Sequence, residues 1–457
     1  MADLLIREVE LPSGRRADLG ISGSHLVEPD ALTNPQVIDA AGLIALPGLV
    51  DLHTHLRQPS PQPAETIASG TAAAARGGYT AVFAMANTDP VTDTPQRVQH
   101  LLELAEGSSA EVIPVGAITK DLAGLELSDL AGMHQAGVNL FSDDGQCLMD
   151  AHLMRQALQQ AASFDGVIAQ HSQDRCLARP TAWLPDSLSL ASLPPDQPTN
   201  HRLDSDNRPG HSDNRPGSPV RVDDSSMVWP AVAEAAIVAR DIQLARDTGA
   251  RLHICHVSTA ETVEVLRWAK QRRILVTAEV TGHHLLLGSD CLAGLDTTFK
   301  VNPPLRDDED RLALRQALAD GTIDIVATDH APHHQSDKDK PLTEAKPGMI
   351  GLEYALAVVI ETMVLPGLLD WSAVADRMSQ APARLGRVST RQGRALVLGE
   401  PATLTLIDPT RRAVIDRGKS LSQGRNNPYH GLNLPDPVLA TFWAGRATYI
   451  GSPLSPR

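Results

Sequence analysis

Four imidazoles and two carboxylates each stand directly behind an apolar run. The run 43–52 ends in His53-Thr-His55, and Val138-Asn-Leu-Phe141 leads into Ser142-Asp-Asp-Gly145. Gly166-Val-Ile-Ala-Gln170 leads into His171, Arg251-Leu-His-Ile-Cys255 into His256, and the run 323–328 into Asp329. Side chains on a strand alternate between its faces, so His53 and His55 point the same way from one strand end. Imidazole and carboxylate are ligands of borderline divalent cations. One His-x-His is a weak signal, but five signals in the same register, all of ligand type, are a strong one. Four His and two Asp exceed what a single zinc ion takes. They suit two ions about 3.5–4 Å apart, bridged by a carboxylate and a hydroxide. Asp143 and Asp144 compete for the bridging position. Arg57, two residues past His55, is a fixed cation that suits a carboxylate.

Residues so far apart in the chain need a scaffold that gathers strand ends. From residue 47, apolar strands alternate with helical stretches at 65–76, 94–104, 125–136, 150–164, 230–248, 261–271 and 311–320. About eight such repeats over ~300 residues predict an α/β fold, a (β/α)8 TIM-like barrel, whose C-terminal strand ends all face one mouth. Both chain ends read as strands, at 4–10, 17–22, 402–407 and 438–443, and predict a small β domain built from the two ends. The expected division is 1–46 with 391–457 for the β domain and 47–390 for the barrel. Residues 178–228 interrupt the pattern with the repeat Ser205-Asp-Asn-Arg-Pro-Gly210 and Ser212-Asp-Asn-Arg-Pro-Gly217. Too polar to bury a core, they read as a mobile surface insertion with solvated His201 and His211.

Composition removes other classes. Apolar residues are 42% and charged residues 21% of 457, as in a globular protein, and a net charge of −15 argues against nucleic acid as partner. No apolar run approaches the ~18 residues of a membrane span. The start, Met1-Ala-Asp-Leu-Leu-Ile-Arg7, lacks the blocks of a signal peptide, so a cytoplasmic location is expected. Four separated cysteines read as free thiols.

Longer motifs sharpen the reading. Pro47-Gly-Leu-Val-Asp-Leu-His-Thr-His-Leu-Arg57 resembles the opening signature of dihydroorotases in the amidohydrolase superfamily. Phe141-Ser-Asp-Asp-Gly145, His256-Val-Ser-Thr259, Thr281-Gly-His-His-Leu285, Lys300-Val-Asn-Pro-Pro-Leu-Arg306, Ala327-Thr-Asp-His-Ala-Pro-His333 and Gly348-Met-Ile-Gly-Leu-Glu353 resemble class I dihydroorotases, in that order. The chain departs from the family pattern at Gln58, Ala86, Ser172-Gln173 and Gly282.

The resemblance implies that His53, His55, His171, His256 and Asp329 hold two zinc ions. It implies that Asp144, the second Asp before the glycine, bridges them, where hydantoinases use a carboxylated lysine. Arg57, Asn87 and His333 would grip the substrate carboxylate, Asn302 would contact the pyrimidine ring, and Gly348 would offer backbone hydrogen bonds. His283 and His284 would support or pack, and His330 would orient Asp329 or pack. The implied activity is the reversible cyclisation of N-carbamoyl-L-aspartate to L-dihydroorotate in de novo pyrimidine (UMP) synthesis. A metal-bridging hydroxide would act with Asp329 as general acid/base. Two alternatives stand beside it: a cyclic amidase of allantoinase or hydantoinase type, which would share the barrel and metals, and a non-catalytic dihydroorotase-like subunit of aspartate carbamoyltransferase. The expected partner is a small-molecule substrate. A homodimer and association with aspartate carbamoyltransferase stay open.

Overall fold

The computed structural model describes residues 3–178, 229–452 and 454. Past residue 178, the expected insertion and its two histidines lie outside the described residues. Five strands come first: β1 (Leu4–Glu10), β2 (Arg16–Ser22), β3 (His25–Val27), β4 (Gln36–Asp39) and β5 (Ile44–Pro47). Eight more follow: β6 (Leu49–Thr54), β7 (Tyr79–Ala84), β8 (Glu111–Pro114), β9 (Leu140–Phe141), β10 (Val167–Gln170), β11 (Arg251–Ile254), β12 (Val276–Thr281) and β13 (Ile325–Ala327). Every residue of β6 and β7 is buried, the pattern of a parallel sheet covered on both faces.

Parallel ladders join β6 to β7 to β8, and β9 through β13 in order. Parallel bridges Gly116–Phe141 and Thr54–His330 close the ring into the eight-stranded barrel. Asp51 pins the second seam from inside. Its carboxylate accepts from Thr328 N (2.9 Å), Thr328 Oγ1 (2.6 Å) and Thr54 Oγ1 (2.5 Å).

The crossovers are α1 (Ile67–Arg76), α2 (Pro95–Leu104), α3 (Leu130–Gln135), α4 (Ala151–Ser163), α5 (Ala231–Thr248), α6 (Ala260–Gln271), α7 (Gly282–Leu286) and α8 (Asp308–Asp320). Side-chain caps start most of them: Thr66, Thr94, Asp150, Thr259 and Asp307 each accept from a first-turn N–H. The helix expected over 125–136 begins only at Leu130. Asp129 caps it there, and Leu127 is drawn into a bridge with Thr119. At the end of α1 a side chain on Gly77 would lie 2.0 Å from the Leu352 carbonyl oxygen, so only glycine lets the chain pass.

The chain ends with β14 (Leu404–Ile407), β15 (Arg412–Val414), β16 (Asn433–Pro435), β17 (Val438–Trp443) and β18 (Arg446–Ile450). β14 pairs antiparallel with both β5 and β17, so the two chain ends share one sheet in the order β18-β17-β14-β5-β1-β2-β3. Ile6, Val9, Leu404, Leu406 and Phe442 fill its separate core. Between β15 and β16, residues 420–427 return to the barrel: Ser422 and the Gln423 N–H both bond Glu65. Among the described residues no helix is long and apolar enough to cross a membrane.

Replacing Asp51 by alanine strands buried donors at the barrel seam, each at a cost of about 1–3 kcal/mol. Asp51→Ala is expected to lose about 3 kcal/mol in urea unfolding; a loss below about 1 kcal/mol contradicts this role for Asp51.

Candidate metal centre

The barrel brings all six sequence-predicted ligands to one mouth. His53 is the penultimate residue of β6 and His55 directly follows that strand, His171 follows β10, His256 follows β11 and Asp329 follows β13. All are buried, as is Asp144 in the loop after β9. His256 (φ 34°), Asp329 (φ 44°) and Arg57 (φ 57°) adopt left-handed backbone, which non-glycine residues take at a cost of about 1–3 kcal/mol.

The two neighbouring aspartates separate cleanly. Asp143 turns into the protein, where one oxygen accepts from the backbone N–H groups of Ile118 (2.8 Å) and Thr119 (2.9 Å) and the other from the Thr119 hydroxyl. Asp144 faces the imidazoles. Its Oδ1 lies 3.3 Å from His53 Nε2, 3.5 Å from His171 Nδ1 and 3.4 Å from His256 Nε2, and its Oδ2 lies 3.3 Å from His55 Nε2. Asp329 Oδ1 lies 3.0 Å from His55 Nε2 and 3.5 Å from His53 Nε2.

Two ligands about 2.1 Å from one ion, at angles of 90–109°, are roughly 3.0–3.4 Å apart, which these separations match. Two more observations fit a divalent cation. His53 Nε2 is buried without a hydrogen-bond partner, and the ring nitrogens His171 Nδ1 and His256 Nε2 face each other at 2.9 Å. Compact ligand groups form from His53, His55 and Asp329 and from His53, Asp144 and His256. A third group, His53 with Cys255 and Glu279, is a poorer fit, because His53 Nδ1 and Glu279 Oε1 are already paired in a hydrogen bond at 2.6 Å.

The cluster compensates its own charge. Burial opposes ionisation of Asp144, yet His53 and the imidazole hydrogen bonds hold it well below the usual carboxylate range. Asp329 is likewise held low, against burial, by His53 and His55. Burial works against a charged His53, but the Asp144, Glu279 and Asp329 carboxylates raise its pKa. Burial and the Arg57 charge lower His55.

The expected substrate contacts ring this cluster. Asn87 Oδ1 meets His55 Nδ1 (2.9 Å), and its Nδ2 donates to the Asp144 carbonyl (3.3 Å). Asn302 Nδ2 lies 2.9 Å from Gln173 Oε1 and 3.2 Å from His171 Nε2, while its Oδ1 has no partner. Arg57 donates from Nε to the Pro332 carbonyl (3.2 Å). His333 Nε2 faces the Pro347 carbonyl oxygen (2.8 Å). Gly348 uses its backbone internally: its N–H donates to Lys300 O (2.9 Å), and its carbonyl accepts from Asn426 (3.0 Å) and Lys338 (3.2 Å). What it offers is space, since a Cβ there would lie 2.6 Å from His333 Nε2. His330 does not bond Asp329. Its Nε2 reaches Glu65 (3.4 Å), and its Nδ1 accepts from the Gly351 N–H (3.1 Å). His284 bonds Thr281 (2.7 Å) and the Pro303 carbonyl (3.1 Å) and braces the loop that carries Asn302.

Sequence reasoning missed Glu279, Gln173, Lys338 and Asn426. Glu279 carried the clearest signal, a charge inside the apolar strand β12, where it is 1% exposed. Gln173 touches both His171 (3.2 Å) and Asn302 (2.9 Å). Asn426 donates to Ala331 O (2.8 Å) and accepts from the His333 N–H (3.2 Å), and it carries no local motif.

A closed parallel barrel with imidazoles and carboxylates converging at its C-terminal rim is the arrangement of the metal-dependent amidohydrolases. Solved structures share the fold. An L-hydantoinase from Arthrobacter aurescens matches with TM-score 0.83 and 22% identity over 100% of this chain and 98% of that one. A dihydropyrimidinase from Brevibacillus agri matches with TM-score 0.78 and 20% identity over 97% and 94%. Sequence narrows the class. A family model described as Dihydro-orotase-like matches residues 42–184. The dihydroorotase of Streptomyces coelicolor is 46% identical over 100% of both chains, and that of Mycobacterium tuberculosis 45% identical over 97% of this chain and 98% of its own. The chain belongs to the dihydroorotase family.

Gly348→Ala combines a left-handed backbone position (φ 145°) with a clash against His333. It is expected to displace the His333 ring and to cost about 1–3 kcal/mol in chemical unfolding. Unchanged stability with an unmoved His333 imidazole NMR signal contradicts the close fit.

Proposed function

We propose that the protein is a dihydroorotase, which interconverts N-carbamoyl-L-aspartate and L-dihydroorotate in de novo pyrimidine synthesis. The observation that carries this reading is 46% identity to a dihydroorotase across the whole of both chains. In this reading His53, His55, Asp144, His171, His256 and Asp329 would hold two Zn²⁺. When bound, the cations supply Lewis acidity, polarising the ring amide carbonyl and lowering the pKa of water towards neutrality.

The residues do the rest. Asp329 takes a proton from the attacking water and delivers it to the leaving ring nitrogen; in cyclisation it works in reverse. Arg57 presents a planar fork to the substrate carboxylate, its guanidinium fixed by the bond to Pro332 O, and Asn87 and His333 complete that grip. Asn302 and the space over Gly348 receive the ring. Burial and the nearby Arg57 and Lys338 charges hold His333 down to about 2, so it meets the substrate as a neutral imidazole.

The hydantoinases share the fold, but an uncharged hydantoin has no use for Arg57. The six candidate ligands are all present, which speaks against a non-catalytic subunit. A cytoplasmic location belongs to this reading. The chemistry needs neither a homodimer nor association with aspartate carbamoyltransferase.

Dihydroorotate should be turned over at least 100-fold more efficiently than hydantoin or allantoin in parallel assays; the opposite ranking refutes the assignment. Asp329→Ala should lower kcat by at least 100-fold, the lower bound for a lost general acid/base, with the fold retained by circular dichroism. Near-normal kcat would show that another group moves the proton. Asp144→Ala should lose bound zinc by elemental analysis while Asp143→Ala keeps it; equal loss in both contradicts Asp144 as the shared ligand.

A further inference from the structure

Glu279 lies on β12 directly behind the cluster, 1% exposed. Its Oε1 accepts from His53 Nδ1 at 2.6 Å and from the backbone N–H of His256 at 3.2 Å. Its Oε2 lies 3.0 Å from His253 Nε2, and His253 Nδ1 lies 2.9 Å from Thr277 Oγ1. One buried carboxylate therefore touches a candidate ligand of each cation. We infer that Glu279 is a positioning residue that presets both halves of the metal centre, a role resting on His53 and His256 being ligands.

An ionised carboxylate only accepts, so the contact at 2.6 Å places the His53 hydrogen on Nδ1. In the neutral imidazole, the form that binds a cation, Nε2 is then bare, and Nε2 is the buried atom without a hydrogen-bond partner, aimed at Asp144 and Asp329. A carboxylate behind an imidazole fixes the ring and strengthens its outer nitrogen as a ligand. The second contact acts on backbone. His256 sits at φ 34°, a strained position for histidine, and its N–H is held there by the same oxygen. His253 and Thr277 brace the far oxygen, so the carboxylate cannot swing away from the rim.

Glutamine at 279 keeps an acceptor for His53 and His256 and turns its NH2 towards His253, so Glu279→Gln removes charge with little change of shape. Glu279→Leu removes the contacts as well. The test is Zn²⁺ stoichiometry and affinity by chelator competition, with the visible spectrum of the Co²⁺-loaded protein and thermal midpoints with and without metal. Glu279→Gln is expected to keep two equivalents, bind them about 10–100-fold more weakly and shift the Co²⁺ bands, with the metal-free midpoint unchanged. Glu279→Leu is expected to lose at least one equivalent; if it does not fold, the glutamine variant decides. Wild-type affinity and an unchanged Co²⁺ spectrum in Glu279→Gln overturn the inference while the ligand reading stands. A metal-free midpoint lowered as much as the loaded one also overturns it, by reducing Glu279 to a structural role. Wild-type protein that takes up no zinc overturns the ligand reading itself.

Discussion

Two carboxylates, Asp144 and Asp329, are buried among four imidazoles with N–O separations of 3.0–3.5 Å. Charges taken out of water are costly unless opposite charges and hydrogen bonds replace the lost hydration, and removing one partner of such a pair typically costs about 3–5 kcal/mol. The rest of the barrel mouth reads as the means of keeping this cluster together. The ring closes beside it through Thr54 and His330, and Asp51 ties the ends of β6 and β13 from below. His55 and His53 each have their inner nitrogen engaged, by Asn87 and Glu279 respectively, so that Nε2 of both rings faces inwards. A divalent cation among these groups would complete a balance that the side chains alone reach only by sharing protons.

The β domain also takes part in the site. Residues 420–427 leave it and lie against the barrel mouth. Ser422 bonds Glu65, which also meets His330, and Asn426 spans Ala331, His333 and Gly348. Lys338 adds a second clamp, its buried ammonium donating to the carbonyls of Lys300 (3.3 Å), Lys346 (2.9 Å) and Gly348 (3.2 Å). The loop carrying His333 is thus held from both sides by groups that touch no proposed ligand. The pairing of β5 with β14 joins the two chain ends in one sheet and sets where β6 begins. The sheet made from the chain ends is therefore continuous with the strand that carries His53 and runs into His55.

The residues legible in the sequence were those whose position follows from strand geometry. His53, His55, His171, His256 and Asp329 each end an apolar run, and a parallel barrel brings such ends together whatever the loops do. The alternation of strands and helices was readable for the same reason, since strands such as β7 and β13 are buried on both faces and nearly continuous in apolar residues. Choosing Asp144 over Asp143 needed the family motif, because the two differ only in which way a loop turns. The supporting groups were hidden because their partners are distant. Glu279 meets His53 across 226 positions, and Asn426 meets His333 across 93. The contact of His330 with Glu65 spans 265 positions and could not be told from a bond to its neighbour Asp329. The late start of α3 turned on a cap and a bridge that no local periodicity encodes.

The claim that one buried carboxylate, Asp144, is shared between two cations is tested most directly by anomalous diffraction at the zinc edge on crystals of the zinc-loaded protein. Two peaks about 3.5–4 Å apart are expected, with Asp144 between them, one beside His55 and Asp329 and the other beside His171 and His256. A single peak, or a peak enclosed by His53, Cys255 and Glu279 with Asp144 unligated, would contradict it.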